Sequence, residues 1–359
     1  MTDLLDFVSL SLLPPWSWRI AAEWLRRGDP VPAIARRLIA ATTRQESDAA
    51  VDVRALAADA IRRAADASIA SLPWDDPSYP VALTTIADPP PVLWTRGCIA
   101  ALSAPAVAIV GSRAASPYGL AVAEQLAGDL AASGLVVVSG LARGVDSAAH
   151  RGALAAGGVT VAVLGSGVDV MYPPEHSELG RSIDEHGAVI SELVPGTKPH
   201  QRFFPLRNRI ISGLSRAVVV IEASEKSGSL ITARCALDQG RDVLAVPGNV
   251  LSGRSRGAHA LLRDGAKIVE SADDILEELG MGTGGLVRAP MADEGTRQAP
   301  IADPVVDCLT PGEASDLDEI SERSGLQTAR LLPRLFELEL QGRVRRVGGG
   351  RFVRVDRTC

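Results

Sequence analysis

The chain has 359 residues, 46% of them hydrophobic, which is enough for a large core divided among two or three domains. Four widely separated cysteines without a CxxC pair argue against a structural zinc site and a disulfide framework, and they favour the reducing cytoplasm. No apolar run approaches the roughly 20 residues of a membrane-spanning helix, and a formal net charge of −6 argues against coating duplex DNA by bulk positive charge.

Residues 1–71 are predicted to form a small helical domain. Apolar residues recur at helical spacing from Leu4 to Leu12 and again from Ile20 to Leu25, with Pro14 and Pro15 between the two runs. The pattern resembles SAM and helix-hairpin-helix domains, the second of which bind DNA phosphates through a glycine-rich turn. Here the corresponding turn is Leu-Pro-Pro-Trp-Ser, without glycine. A structural or interaction role is therefore favoured over phosphate binding.

Short apolar strands alternate with helical stretches from residue 107 onward, after a proline-rich connector over residues 72–105 that we expect to be extended. Runs that are apolar on both faces and joined by helices are typical of a parallel sheet covered on both sides. The pattern predicts a doubly wound, mostly parallel Rossmann-like α/β domain over residues 72–280. Its predicted strands are Val107–Val110, Leu135–Val138, Val159–Leu164, Ala188–Ile190, Ala217–Ile221, Val243–Val246 and Lys267–Val269.

The C-terminal part of the chain is predicted to be a linker followed by a second small domain. Residues 281–303 lack periodicity and are typical of a flexible linker. Residues 304–359 contain three short helical patterns and then two strand patterns around a glycine turn, which together predict a winged helix. The third helical pattern carries both Arg330 and Glu337. Binding to duplex DNA and binding to protein therefore both remain open for this domain.

Ligands of doubly wound folds bind at the carboxyl ends of the strands, so the residues after each strand are the candidate site. The first strand is followed by Gly111, Ser112 and Arg113. Arg113 stands where a dinucleotide-binding loop has its second glycine, and no acidic residue lies about 20 residues later to hold a ribose. We therefore expect no dinucleotide cofactor. Ser112 and Arg113 suit a single phosphate, although a tight turn with a surface arginine is an alternative.

Three later turns repeat this chemistry. The second strand leads to Gly140, Arg143 and Gly144, where Asp146 is expected to cap the next helix and His150 is interpreted as a helix histidine rather than a catalyst. Anion-binding turns also follow two other strands, at Ser166 and Gly167 and at Ser227, Gly228 and Ser229, with Thr232 in the helix after the latter. Four such turns on one sheet predict a row of phosphate contacts.

A basic stretch over residues 196–216 has no carboxylate in a chain of net negative charge. Phe203 and Phe204 lie among its cations, and Pro205 is expected to end a loop before a helix that begins near Arg207. Cations that hold phosphates, beside a ring that can stack on a base, are what single-stranded nucleic acid requires. The cations are Lys198, Arg202, Arg207, Arg209 and Arg216.

An enzymatic alternative depends on two carboxylates near strand ends, Glu192 and Glu222. Either is as plausible in an ion pair with a nearby arginine as in acid–base chemistry. The sequence lacks HExxH, GxSxG and Walker motifs and any His/Cys metal spacing, so we expect no metal and no cofactor. The alternative function is that of a Rossmann-like hydrolase acting on a nucleotide or a nucleoside monophosphate.

Together the motifs IVGSR, SGLARGVD, LGSGVD, FPLRNRIISGLS, SGSLITA and VPGN resemble those of the bacterial DNA-processing protein A (DprA/Smf) family, over about residues 72–280. The resemblance implies a non-enzymatic cytoplasmic homodimer that binds single-stranded DNA and loads the RecA recombinase onto it. This role belongs to DNA recombination, natural transformation and competence. A pure scaffold for the recombinase, with incidental DNA contact, is a third possibility.

The resemblance also implies roles for individual residues. Arg113 would hold a phosphate and Phe204 would stack on a base. Relatives often carry a basic residue where this chain has Gln201, and Arg202 or Lys198 would substitute for it. The predicted single-strand-binding set is Ser112, Arg113, Gly140, Arg143, Gly144, Ser166, Gly167, Lys198, Arg202, Phe204, Arg207, Asn208, Arg209, Ser227, Gly228, Ser229 and Thr232.

Overall fold

A computed structural model describes residues 2–45, 52–281, 304–309, 314–326, 331–332, 334–335, 338–339, 344–347 and 351–354. Residues up to 281 belong to one compact unit and those from 304 onward to a second. The predicted linker at 281–303 lies outside the described residues except for Met281. No helix among the described residues is long and apolar enough to span a bilayer.

Nine strands form one sheet in the described part of the first unit, in the order β1-β2-β6-β5-β4-β3-β7-β8-β9. The strands are β1 Ala70–Pro73, β2 Val92–Gly97, β3 Ala106–Gly111, β4 Val136–Ser139, β5 Thr160–Val163, β6 Ala188–Ser191, β7 Ala217–Ile221, β8 Asp242–Ala245 and β9 Lys267–Ile268. Strands β3 to β9 pair in parallel, whereas β1 and β2 are antiparallel. The predicted doubly wound, mostly parallel sheet is confirmed, and the proline-rich connector supplies the β2 strand that pairs with β6.

Helices cover both faces of the sheet. The helices described in this unit are α1 Thr2–Ser11, α2 Pro15–Arg26, α3 Val31–Gln45, α4 Val53–Asp66, α5 Val81–Thr84, α6 Pro117–Ala132, α7 Val145–Ala155, α8 Ser177–His186, α9 Phe203–Leu214, α10 Ser229–Asp238, α11 Arg256–Arg263 and α12 Ala272–Glu278. One face packs on α9 and α10 through Ile210, Ile211 and Ala233. The other packs on α6 and α12 through residues such as Leu130 and Ile275. Alternating strand residues thus serve two cores, as a doubly wound sheet requires.

The start of α9 differs from the prediction. The sequence places the basic-aromatic segment in a loop that ends before Arg207, but α9 already begins at Phe203. Pro205 is its third residue, where a missing backbone N–H has no partner within the helix to lose. Phe204 is therefore held on a helix rather than on a free loop, and all residues from Arg207 to Leu214 are buried.

Helices α1 and α4 pack against the antiparallel strands at one edge of the sheet. Phe7 of α1 and the small residues Ala57 and Ala60 of α4 share one cluster with Val92 and Trp94 of β2. A separate cluster joins α1, α2 and α3. Alanines on α4 let the helix axes approach closely, so this helical region is fixed to the sheet by apolar contact.

The second unit contains α13 Pro304–Asp307, β10 Ala314–Ser315, α14 Leu317–Ser324, β11 Val344–Val347 and β12 Arg351–Arg354. Its three strands pair antiparallel in the order β10-β12-β11 among the described residues. Asp316 and Glu319 form a capping box at the start of α14. Buried residues of the helices, among them Ile320, pack on Val344 and Phe352 of the hairpin. The two described helices and the hairpin agree with the predicted winged helix, whose third helical pattern lies partly outside the described residues.

Candidate nucleic-acid interface

A cavity of about 590 Å³ opens where the strand order reverses, between the carboxyl ends of β3 and β7. Most of its lining comes from three segments, namely the turn after β3, the first half of α9, and the turn that leads from β7 into α10. Nine of the predicted residues meet here: Ser112, Arg113, Phe204, Arg207, Asn208, Ser227, Gly228, Ser229 and Thr232. Gln201 also lines the cavity.

An aromatic and cationic cluster stands at the mouth of the cavity. The Arg113 guanidinium lies 5.2 Å from the centroid of the Phe204 ring. The Tyr172 ring lies 5.6 Å from that of Phe204, with 30° between the planes. Tyr172 is 40% exposed and was missed by the sequence prediction, although it lies only five residues after Gly167 of a strand-end turn. The mouth thus offers two aromatic rings and an exposed cation.

Arg207 forms part of the cavity wall from inside the protein. Its Nη1 donates to the carbonyl oxygen of Gly140 at 2.6 Å and also to that of Val163, and its Nη2 lies 3.9 Å from Asp146 Oδ2. A Cβ on Gly140 would overlap this guanidinium, which explains the glycine. Burial lowers the pKa of Arg207 to about 10, against the opposing effect of Asp146, so the group stays charged at neutral pH. The cavity therefore has a fixed cation at its side.

Asp146 has a different role from the predicted one. It is buried, and its Oδ2 accepts from the backbone N–H of Gly140 at 3.1 Å and of Ala142 at 3.4 Å. It thus braces the turn before α7 instead of capping the helix, whose N-cap is Gly144. Burial raises the pKa of Asp146, although Arg207 and these two N–H donors oppose the shift.

The turn into α10 contributes hydroxyls to the cavity. Ser227 Oγ and Ser229 Oγ lie 2.7 Å apart, and Asn208 Nδ2 reaches the carbonyl oxygen of Gly228 at 3.4 Å. Asn208 Oδ1 in turn accepts from Arg207 Nε at 3.1 Å. Hydroxyls at the first turn of a helix, beside two arginines, make an anion-binding wall.

Two more predicted residues line a small cavity of about 40 Å³ at the same mouth, Gly140 and Arg143. Arg143 is exposed and paired with Glu175, a residue outside the predicted set. An exposed ion pair contributes little to stability, so Arg143 can exchange this carboxylate for a phosphate at small cost.

Six predicted residues line neither cavity, namely Gly144, Ser166, Gly167, Lys198, Arg202 and Arg209. Ser166 is buried and donates to Val170 O at 2.7 Å. Gly144 has a φ of 75° and lets Val145 N reach Ser112 O at 3.2 Å, so it packs one turn on another. Arg202 is exposed and lies 4.9 Å over the Phe203 ring.

The two carboxylates of the enzymatic alternative are both engaged within the protein. Glu192 Oε2 pairs with Arg209 Nη2 at 2.6 Å and lies outside the main cavity. Burial raises the pKa of Glu192, while Arg209 opposes the shift. Glu222 accepts from the Ser116 backbone N–H at 2.7 Å and from its hydroxyl. Neither carboxylate faces the main cavity, where an acid or base would have to act.

His150 is fully buried on α7, with its Nδ1 2.7 Å from Thr160 Oγ1. Burial lowers its pKa to about 3, and the charge of Arg207 adds to the effect. Because the folded-state pKa lies below the unfolded value of about 6.5, the unfolded chain binds more protons and stability falls as pH falls between these values. We expect the free energy of unfolding to drop by about 2 kcal/mol between pH 7 and pH 5 through this residue.

Urea unfolding of the full chain and of His150→Gln at several pH values checks this expectation. The variant loses the part of the pH dependence that comes from the imidazole. Parallel stability–pH curves for the two proteins would show that His150 does not titrate on unfolding.

Comparison with known proteins identifies the family. Residues 70–280 match the family model described as DNA recombination-mediator protein A, and residues 287–350 match the DprA winged helix domain. The chain belongs to the DNA-processing protein A (DprA/Smf) family. The Escherichia coli protein Smf is 41% identical over 292 residues, which cover 80% of this chain and 78% of that protein. DprA of Streptococcus pneumoniae is 48% identical over 203 residues, 56% of this chain and 72% of that protein.

Solved structures of DprA proteins share the fold. The crystal structure from Streptococcus pneumoniae superposes with a TM-score of 0.63 at 38% identity, covering 76% of this chain and 95% of that one. DprA from Helicobacter pylori, described for its single-stranded DNA binding mode, gives a TM-score of 0.54 at 30% identity. The match covers 59% of this chain and 96% of that one. The resemblance found in the motifs is confirmed.

Proposed function

We propose that this chain binds single-stranded DNA at the cavity between β3 and β7 and acts there as a recombination mediator, without catalysis. The observation that carries the proposal is the pairing of exposed Arg113 with the Phe204 ring at the mouth of a cavity flanked by Arg207. Cations hold phosphates and aromatic faces stack on unpaired bases, which a duplex does not present. The DNA-binding mode described for the Helicobacter pylori relative supports the same use of this fold.

The finer parts of the proposal rest on the family. We propose that the chain works as a cytoplasmic homodimer, loads a RecA-type recombinase onto the bound strand, and serves natural transformation. We also propose the division into residues 1–71, 72–280, 281–303 and 304–359. Binding is favoured over nucleotide hydrolysis because neither Glu192 nor Glu222 lines the main cavity, and both are held by protein partners.

The proposal is tested by DNA binding on single and double strands at several salt concentrations. We expect preferential single-strand binding, with a log–log salt slope of about −0.7 for each phosphate contact. Arg113→Gln is expected to weaken single-strand binding about tenfold, since it removes one charge-assisted contact. It should also reduce the slope by about 0.7.

Arg216→Gln is the matched control. It removes one exposed arginine just before β7, at the amino ends of the strands, whereas the cavity lies at their carboxyl ends. If Arg113→Gln and Arg216→Gln lost equal affinity, the effect would come from net charge alone, which would contradict the assigned site. Base release from nucleoside monophosphates by the wild-type chain would instead support the hydrolase.

A further inference from the structure

A second cavity of about 520 Å³ lies at the same carboxyl ends of the strands, one strand further along, beside β7 and β8. It opens between the start of α6 and the turn that follows β8. The residues that matter here are Tyr118, Glu222, Asn249, Ser252 and Arg254. None of them belongs to the predicted binding set, so this cavity is unexplained by the site described above.

The second cavity adjoins the first. Arg254 Nη1 donates to the carbonyl oxygen of Ala114 at 2.6 Å, and Ala114 lines the main cavity while Arg254 lines the second. The two spaces therefore meet at this hydrogen bond. A strand that leaves the first cavity along the carboxyl ends of β7 and β8 passes directly over the second.

The second cavity repeats the chemistry of the first. Tyr118 is 51% exposed, and its hydroxyl donates to the carbonyl oxygen of Pro247 at 3.1 Å, which fixes the ring. Arg254 is exposed at the rim, as Arg113 is at the first cavity. One aromatic ring and one arginine are the pair that holds one nucleotide of a single strand.

Glu222 determines which way a nucleotide would enter. Its carboxylate lines the second cavity and is held by Ser116, so it repels phosphate from that wall. The phosphate must therefore face Arg254, and the base faces Tyr118. Burial, helped by Glu222 and Glu270, raises the pKa of Tyr118, so the ring is uncharged when it stacks.

We propose that the second cavity receives a further nucleotide of the strand bound in the first, with its base stacked on Tyr118 and its phosphate paired with Arg254. This inference rests on the proposed single-strand binding. It predicts a length threshold, because an oligonucleotide too short to span both cavities gains nothing from the second.

The test measures binding of oligothymidylates from about 4 to about 16 nucleotides. We expect Tyr118→Ala to weaken binding of the longest oligonucleotide about fivefold or more and that of the shortest less than twofold. Tyr118→Phe keeps the ring, loses only the hydrogen bond to Pro247, and should retain most of the wild-type affinity. Arg254→Gln is expected to reduce the salt slope by about 0.7, but only on long oligonucleotides. Arg216→Gln should leave the slope unchanged at every length.

Each outcome separates the two proposals. If the wild-type chain binds no single strand, the proposed function fails. If it binds, but Tyr118→Ala and Arg254→Gln are equal to wild type at every length, only the second nucleotide site is overturned. Equal losses on short and long oligonucleotides also overturn it, since they place the effect in the first cavity.

Discussion

Phe204→Ala is expected to weaken binding of single-stranded DNA by about 1–3 kcal/mol, roughly 5- to 150-fold, with little change in duplex binding. The substitution removes the ring on which an unpaired base would stack. It also removes the surface over which Arg113 lies at 5.2 Å, so the cation loses its position at the mouth of the cavity. Fluorescence anisotropy with single-stranded and duplex probes of equal length measures the difference.

Phe203→Ala is the matched control for this experiment. Phe203 is the adjacent residue of α9, is half-buried like Phe204, and lines neither of the two cavities at the mouth. It packs on His200 and Arg202 instead. We expect its removal to change single-strand affinity less than twofold. Equal losses in the two variants would indicate a damaged α9 rather than a lost base contact.

The fold was predictable because the sheet is buried on both faces. Each strand of the parallel region is a short apolar run, and the predicted Ala217–Ile221 coincides with β7. Turns with Gly, Ser or Arg mark the strand ends, and the topology brings the carboxyl ends of β3 and β7 together. These rules place Ser112, Arg113 and Ser227 at one cavity without knowledge of any side-chain contact.

The sequence alone did not predict which arginine of α9 lines the cavity. Arg207 and Arg209 are two residues apart on α9, yet Arg207 lines the cavity and Arg209 does not. Residues two apart in a helix project about 200° apart, so the spacing indicates that only one of the two faces the cavity, but which one does so depends on the neighbours that the helix packs against. For Arg209 those neighbours, Asp88 and Trp18, are more than a hundred residues away in the chain. Tyr172 was missed because its position beside Phe204 likewise depends on a contact between segments that are distant in the chain.

The buried position of Arg209 predicts a large loss of stability on substitution. Its side chain is 7% exposed, pairs with Glu192 at 2.6 Å and with Asp88 at 3.1 Å, and lies 5.3 Å over the Trp18 ring. Burial disfavours its charge, but the two carboxylates outweigh burial and raise its pKa. Arg209→Leu leaves Glu192 buried without its partner, and we expect the free energy of unfolding to fall by about 3–5 kcal/mol. Urea unfolding measures this loss.

The double variant Arg209→Leu/Glu192→Leu identifies the cause. Replacing both members of a buried ion pair with apolar residues is often neutral, so the double variant should regain most of the lost stability. A double variant as unstable as Arg209→Leu would instead implicate Asp88 or Trp18. Because Arg209 lines neither cavity at the mouth, the refolded variants should bind single-stranded DNA like wild type. If Arg209→Leu instead kept its stability but lost affinity for single-stranded DNA, the DNA contact that the sequence predicts for Arg209 would be supported.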